Sequence, residues 1–174
     1  MRLPLLSAAA FATLLAATSA QSAEPNFMAD PIYDSPLFNF EGFYTGVQVG
    51  GAALPGPGLV GVAGLVAGAN FSLSEAFLAG IEFQGEALFH GGGYVGLDAL
   101  LLGRVGGYVT QEMMAYGAVG GGLVNGGGAY AFGGGLEKPV MDQLSARGEI
   151  LGTGAWGALP SGAKVTAGLL WHLN

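Results

Sequence analysis

Apolar and polar residues alternate along the segment 77–90. Apolar side chains dominate one parity, and the other parity carries Glu82, Gln84 and Glu86. A helix would distribute these three polar side chains around its circumference, whereas a strand places them on one face. The segment exceeds the usual strand length of about 5–6 residues. It reaches the roughly 9–11 residues with which a tilted strand crosses a bilayer.

The same alternation divides the chain from residue 43 onward into eight predicted strands. They span 43–53, 59–71, 77–90, 94–109, 114–125, 129–137, 144–153 and 165–173. Polar turns (73–75, 110–112, 138–143) alternate with Gly/Pro turns (55–58, 91–93, 126–128, 159–162), so the two kinds are expected at opposite ends. An even strand number is typical of outer-membrane barrels, and closure removes unpaired sheet edges. The sequence therefore predicts an all-β fold, an eight-stranded antiparallel transmembrane β-barrel with up-and-down meander topology.

Charged and amide residues within the predicted strands share one parity of each strand, while the other parity is apolar, as with Val165, Leu169 and Trp171. A basic group facing lipid near the midplane would cost about 2–4 kcal/mol. We therefore predict that this polar parity faces the interior. The predicted interior polar network consists of Gln48, Glu82, Gln84, Glu86, Asp98, Arg104, Glu137, Arg147 and Glu149.

Two interpretations of this interior set are open. Eight strands leave a lumen only just wide enough for side chains, and Arg104 and Arg147 can each hold carboxylates in two-pronged contacts. Both points favour a sealed plug. The alternative is an ion path, a narrow porin-like channel for passive diffusion of small solutes or ions. For the fold as a whole, the alternative is a secreted soluble β-sandwich or lipocalin-like barrel, but such a protein would need a polar outer face.

The N-terminal part differs from the rest. Residues 1–20 have a basic start at Arg2, an apolar stretch and small residues at the end, which predicts a signal peptide for export through the periplasm. Residues 21–42 are acidic and contain Pro25, Pro31 and Pro36, which predicts a periplasmic leader that could contact the envelope. Leu37, Phe38 and Phe40 either pack at the barrel mouth or belong to a flexible tail. The barrel is expected to span 43–174.

Composition narrows the function classes. The formal net charge of −7 becomes −8 without Arg2, which argues against nucleic-acid binding. The chain has no Cys, so no disulfide stabilises it. His90, His172, Ser145 and Ser161 stand in no catalytic motif, and no metal-ligand spacing is present, so we expect no enzyme activity, catalytic residue, cofactor or metal site. Interfacial aromatic girdles are expected from Tyr108, Tyr116, Trp156 and Trp171, with ordinary core packing as the alternative.

Three stretches resemble the porin-like, OmpA-type small barrels of Gram-negative outer membranes. Residues 42–50 (GFYTGVQVG) resemble that family's first strand; residues 103–108 with 114–121 its fourth and fifth; and residues 133–137 with 144–149 its sixth and seventh. The resemblance implies a cell outer-membrane location, contact with outer-membrane lipid, insertion by the barrel-assembly machinery and a structural role in the envelope. The family commonly ends in an aromatic residue, whereas this chain ends in Asn174, and its loops are shorter.

Overall fold

The computed structural model describes residues 38–173. The predicted signal peptide, most of the predicted leader and Asn174 lie outside the described residues. The strands are β1 (Gly42–Leu54), β2 (Gly58–Ser72), β3 (Phe77–His90), β4 (Gly93–Thr110), β5 (Met113–Val124), β6 (Gly127–Met141), β7 (Leu144–Ala155) and β8 (Gly162–His172).

The eight strands form one closed antiparallel barrel in sequence order, and β1 closes it by pairing with β8. The predicted all-β, eight-stranded meander is thus confirmed. Following the register from Gly42 across every strand returns to β1 at Ala52, ten residues further along. This stagger requires the strands to tilt against the barrel axis, by about 35–45° in barrels of this kind.

The predicted and observed strand bounds differ most at the end of β6 and at the start of β8. We predicted that β6 ends at residue 137, but it continues to Met141 and includes Pro139. The register shifts between Pro139 and Met141, and a proline is tolerated at such an irregularity because a ladder hydrogen bond is already missing there. We predicted that β8 begins at residue 165, but it begins at Gly162 and so includes Lys164.

Short turns connect the strands at two ends of the barrel. The terminal end carries the start of β1, the end of β8 and the turns 73–76, 111–112 and 142–143. The far end carries the turns 55–57, 91–92, 125–126 and 156–161. The polar turns and the Gly/Pro turns therefore lie at opposite ends, as predicted. Asn125 (φ 48°) and Gly126 (φ 78°) both have positive φ, which suits a tight two-residue hairpin.

The outer face of the barrel is apolar. Leu101 and Val105 of β4 are 60% and 58% exposed, whereas Leu102 and Arg104 are buried on the inner parity. On β3 the exposed apolar parity extends from Phe77 to Phe89. At a rise of about 3.3 Å per residue and a tilt of about 40°, this stretch spans roughly 30 Å along the barrel axis, close to the hydrocarbon thickness of a bilayer.

The predicted aromatic girdles were right in two of four positions. Trp156 and Trp171 are exposed, at the far and terminal ends respectively. The prediction for Tyr116 was wrong, because this residue shares the inward parity of Met114 and is only 7% exposed. The prediction for Tyr108 was also wrong, because this residue is half-buried and its ring lies 5.8 Å from that of Phe40. Other outward aromatics join the rims: Phe43, Phe71 and Phe77 at the terminal end, and Phe89, Tyr94 and Tyr130 at the far end.

Candidate functional site in the barrel interior

All nine residues of the predicted interior set lie inside the barrel, and each is at most 4% exposed. Strand alternation places them there, because each occupies the parity opposite to the apolar outer face. Buried charges need partners, since desolvation without compensation is costly. The geometry of the interior therefore depends on how these side chains pair.

Glu82 is the hub of the interior. Its Oε2 accepts hydrogen bonds from Tyr44 Oη (2.5 Å), Arg104 Nη1 (2.8 Å) and Arg147 Nη1 (2.5 Å). Its Oε1 accepts one from Gln84 Nε2 at 2.7 Å. One carboxylate thus joins four strands and two arginines, and charge-assisted contacts of this kind are the stronger class of hydrogen bond.

Arg104 extends the network towards the terminal end. Its Nη2 lies 3.3 Å from Glu137 Oε2, its Nη1 also donates to Tyr44 Oη, and its guanidinium stacks 3.8 Å from the centre of the Tyr116 ring. Arg104 also borders a cavity of about 10 Å³, shared with Asn70 and Tyr116. A space of that size holds about one water molecule.

Lys164 extends the network towards the far end. Its Nζ donates to Glu86 Oε2 and to Gln84 Oε1 (3.0 Å). Gln48 Nε2 donates to Glu86 Oε1 at 2.5 Å, and Gln48 Oε1 accepts from Arg147 Nη2 at 2.9 Å. Eight of the nine predicted residues thereby belong to one connected network, once Glu149 is added through its contact with Gln84 Nε2 at 2.7 Å.

Asp98 lies apart from this network. Its Oδ1 accepts a hydrogen bond from the backbone N–H of Asn125 in the β5–β6 turn, at 2.8 Å. Asp98 pairs across the sheet with Glu86, yet its carboxylate is used to hold the far-end turn. The prediction placed this residue inside correctly, but its role is that of a turn anchor.

Sequence reasoning missed four interior residues that complete the network: Tyr44, Tyr116, Lys164 and His172. Tyr44 shares the parity of Gln48, and Lys164 shares that of Thr166, so parity alone would have placed both inside. Lys164 was overlooked because the predicted strand began one residue after it. Its inclusion gives the interior three cationic side chains against five carboxylates.

Ser145, His172 and Glu137 meet near the terminal end. Ser145 Oγ donates to Glu137 Oε1 (2.6 Å), and His172 Nε2 lies 2.9 Å from that oxygen and 3.1 Å from Ser145 Oγ. A Ser–His–acid triad needs the acid on one ring nitrogen and the serine on the other. Here both contact Nε2, so the imidazole is not oriented to take a proton from the serine.

Buried apolar side chains pack at both ends of the interior. Phe38 and Phe40 are buried at the terminal end, where Asn70 Nδ2 donates to the Phe40 carbonyl oxygen at 2.8 Å. The far end holds one buried cluster: Ala52, Leu54, Val60, Val62 and Leu88. Of the two alternatives for the segment before β1, packing at the barrel mouth is the one observed for Phe38 and Phe40. Leu37 lies outside the described residues.

A closed eight-stranded barrel with an apolar outer face and a polar inner face has the architecture of transmembrane β-barrels. Within residues 38–173, no helix is long and apolar enough to cross a membrane. In the same part of the chain, no group of three or more His, Cys, Asp or Glu side chains is placed to hold a metal ion.

Comparison with known proteins gives a structural likeness and no family. No family model matches the chain, and no curated protein matches it. One similar solved structure is described as "De novo design of transmembrane beta-barrels". It is 16% identical, the match covers 78% of this chain and 98% of that chain, and the TM-score is 0.46.

Proposed function

We propose that this protein is an integral outer-membrane β-barrel with a structural, envelope-integrity role and a sealed interior. The observation that carries the proposal is the combination of an apolar belt about one hydrocarbon layer tall with a lumen filled by paired charges. A barrel with an apolar outer face needs lipid around it, because so large an exposed apolar surface is unusual for soluble proteins.

Three layers support the sealed state of the lumen. Phe38 and Phe40 close the terminal end, the network around Glu82 fills the middle, and the cluster around Leu88 closes the far end. Passage of a hydrated ion would require breaking several of the charge-assisted contacts at once. The filled lumen also agrees with the general size argument, since eight strands enclose just enough room for side chains.

The sequence supports the choice of membrane. The signal-peptide features of residues 1–20 imply export, and the resemblance to OmpA-type barrels implies insertion by the barrel-assembly machinery. Outer-membrane lipid is then the main partner. An envelope contact through residues 21–42 is part of the same proposal.

Expression of the full chain in a Gram-negative host tests the location. We expect the protein in the outer-membrane fraction, with a gel mobility that changes on boiling, because a closed barrel resists detergent until it is heated. Protein recovered in soluble form from the periplasm, without a mobility change, would overturn the proposal.

A narrow diffusion channel is the second candidate. It is favoured by one observation, the excess of five interior carboxylates over three cationic side chains, which would attract cations into any wet gap. Planar-bilayer recording of the refolded barrel separates the two candidates. The sealed barrel gives no steady conductance, whereas reproducible single-channel steps with cation selectivity would establish the channel.

We also propose that the protein is not an enzyme. The cluster of Ser145, His172 and Glu137 is the closest approach to catalytic chemistry in the described residues, and it lies beneath Phe38, whose ring is 5.0 Å from that of His172. A substrate would have to displace this cover. Incubation with outer-membrane phospholipids and a serine-directed phosphonate should give neither hydrolysis nor labelling, and labelling of Ser145 would contradict the proposal.

A further inference from the structure

Charge is distributed unequally between the two ends of the barrel. Among residues 38–173, every charged side chain on the surface belongs to the terminal end: Glu41, Glu75, Glu112, Lys138 and Asp142. The remaining Asp, Glu, Lys and Arg residues of this part are buried in the interior. The far-end turns contain no charged residue at all.

The far end is also apolar, and its polar side chains form hydrogen bonds within the far end itself. Leu159, Leu59 and Trp156 are 86%, 73% and 66% exposed. Its polar groups turn inward onto the backbone: Tyr130 Oη donates to the Ala158 carbonyl (2.9 Å), and His90 Nδ1 lies 2.9 Å from the Leu59 carbonyl oxygen. Three of the four connections (55–57, 91–92 and 125–126) consist of Pro, Gly and Asn residues, and the fourth (156–161) contains Ser161 as its only polar side chain besides the indole of Trp156. Little polar surface therefore extends beyond the strands.

We propose that the far end is a lipid-interacting surface that leads insertion, so that the chain's own charge distribution sets one orientation in a bilayer, whether or not the assembly machinery speeds the process. For a closed barrel to form across a membrane, one set of turns must pass through the hydrocarbon, and each charge that passes must be desolvated. The far-end turns carry none of that cost, whereas the terminal-end turns would carry it several times. The inference rests on the proposed membrane location and adds a direction and a lipid partner.

Single cysteines test the orientation, because the chain has none of its own. The full chain, unfolded in urea, is diluted into preformed vesicles of dilauroyl phosphatidylcholine that contain no protein machinery. Ser161→Cys reports on the far end and Glu112→Cys on the terminal end. A membrane-impermeant maleimide should label Glu112→Cys at least tenfold more than Ser161→Cys, which becomes reactive when detergent is added. Equal labelling of both positions would overturn the inference.

Matched lysine pairs test the cause of the direction. Pro55→Lys with Leu159→Lys charges the far end, and Leu73→Lys with Met141→Lys charges the terminal end at comparably exposed positions. We expect the far-end pair to insert at least tenfold more slowly, and the terminal-end pair to insert at the wild-type rate. Insertion rates that fall equally for both pairs, or for neither, would contradict the mechanism.

Folding in detergent micelles separates this inference from the proposed function. No turn has to cross a bilayer in a micelle, so both lysine pairs and the wild-type chain should show the same heat-dependent mobility change. A wild-type chain that folds in micelles but inserts into vesicles in both orientations overturns the directional inference alone. A wild-type chain that forms no barrel in micelles overturns the proposed function, and the inference with it.

Discussion

The buried ion pairs of the interior stabilise the barrel only as a complete set. Removing two charges from water is costly, and their mutual attraction compensates only when the geometry is good and the other polar atoms are bonded. Glu82 itself meets that condition, because both carboxylate oxygens have donors. Its partner Arg104 meets it in part, because the buried Nε of Arg104 has no hydrogen-bond partner. The consequence is that loss of one partner should cost far more than the net value of the pair.

Glu82→Gln should therefore be strongly destabilising. It keeps the shape of the side chain but leaves Arg104 and Arg147 without their shared carboxylate, and we expect a loss of about 3–5 kcal/mol in the free energy of unfolding. Glu149→Gln is the matched control, because Glu149 accepts from the uncharged groups of Gln84 and Tyr116. Its cost should be near 1–3 kcal/mol. Urea unfolding of the micelle-folded barrel, followed by tryptophan fluorescence, measures both, and equal losses would contradict the hub role.

Lys164 provides a second test at the same scale. Lys164→Met leaves Glu86 buried without its cation, so a loss of about 3–5 kcal/mol is expected. Lys138→Met is the control, since Lys138 is exposed and its contact with Glu112 is 4.0 Å long. Exposed pairs contribute only about 0–1 kcal/mol. Comparable stability of the two variants would mean that Lys164 is not ion-paired within the lumen.

The nine interior residues were predictable because every one of them stands on the parity opposite to an apolar face. The partners were not predictable in the same way. Glu82 meets Arg147 across a separation of 65 residues, and only the closure of the barrel brings them together. Tyr116 was assigned to the lipid rim because tyrosine suits both environments, and the parity of β5, which decides the matter, was given too little weight.

At the scale of the strands, glycine decides how closely neighbours approach inside the barrel. At Gly133 of β6, an added Cβ would lie 2.0 Å from the backbone oxygen of Ile150 on β7. At Gly148 of β7, an added Cβ would meet nothing within 4 Å. The two positions have the same residue type and ordinary φ values, but only one is required by the close contact of two backbones.

Gly133→Ala should thus weaken the barrel, because β6 and β7 must separate to admit the methyl group. We expect a loss of about 3 kcal/mol, near the upper end of overpacking costs. Gly148→Ala should leave stability within about 1 kcal/mol of wild type, since alanine restricts the unfolded chain more than glycine does. Unfolding curves of the two variants give the comparison. A neutral Gly133→Ala would show that the strand spacing is not fixed at this site.

The sequence predicts all eight strands, but it does not predict where some of them begin and end. Alternation places the eight segments correctly. A proline such as Pro139 is typical of a turn, however, and here it lies within β6 at a register shift. At the start of β8, Gly162 and Ala163 carry too little pattern to mark a strand, so pairing of Ala163 with Ala53 had to come from the closed sheet. Local composition cannot report a boundary that a neighbouring strand imposes.

At the scale of the whole molecule, closure hides nearly every site at which trypsin could act. In residues 38–173 the basic side chains are Arg104, Arg147, Lys164 and Lys138. The first three are at most 4% exposed and lie within paired strands. Lys138 is exposed, but Pro139 follows it, and trypsin cleaves Lys–Pro bonds poorly. The folded barrel should therefore keep these residues in one piece.

The same chain should be cut readily once the barrel opens, which turns proteolysis into a test of closure. Digestion of the micelle-folded protein, read by intact mass, should leave residues 38–173 uncut, while digestion after boiling should release fragments that end at Arg104, Arg147 and Lys164. On heating, the mobility change and the loss of protection from trypsin should occur together, because both report the same cooperative unfolding of the barrel. Cleavage after Lys164 alone in the unboiled sample would place an open seam between β8 and β1, since that bond is protected by the pairing that closes the barrel. Such a result would contradict closure while leaving the seven other pairings intact.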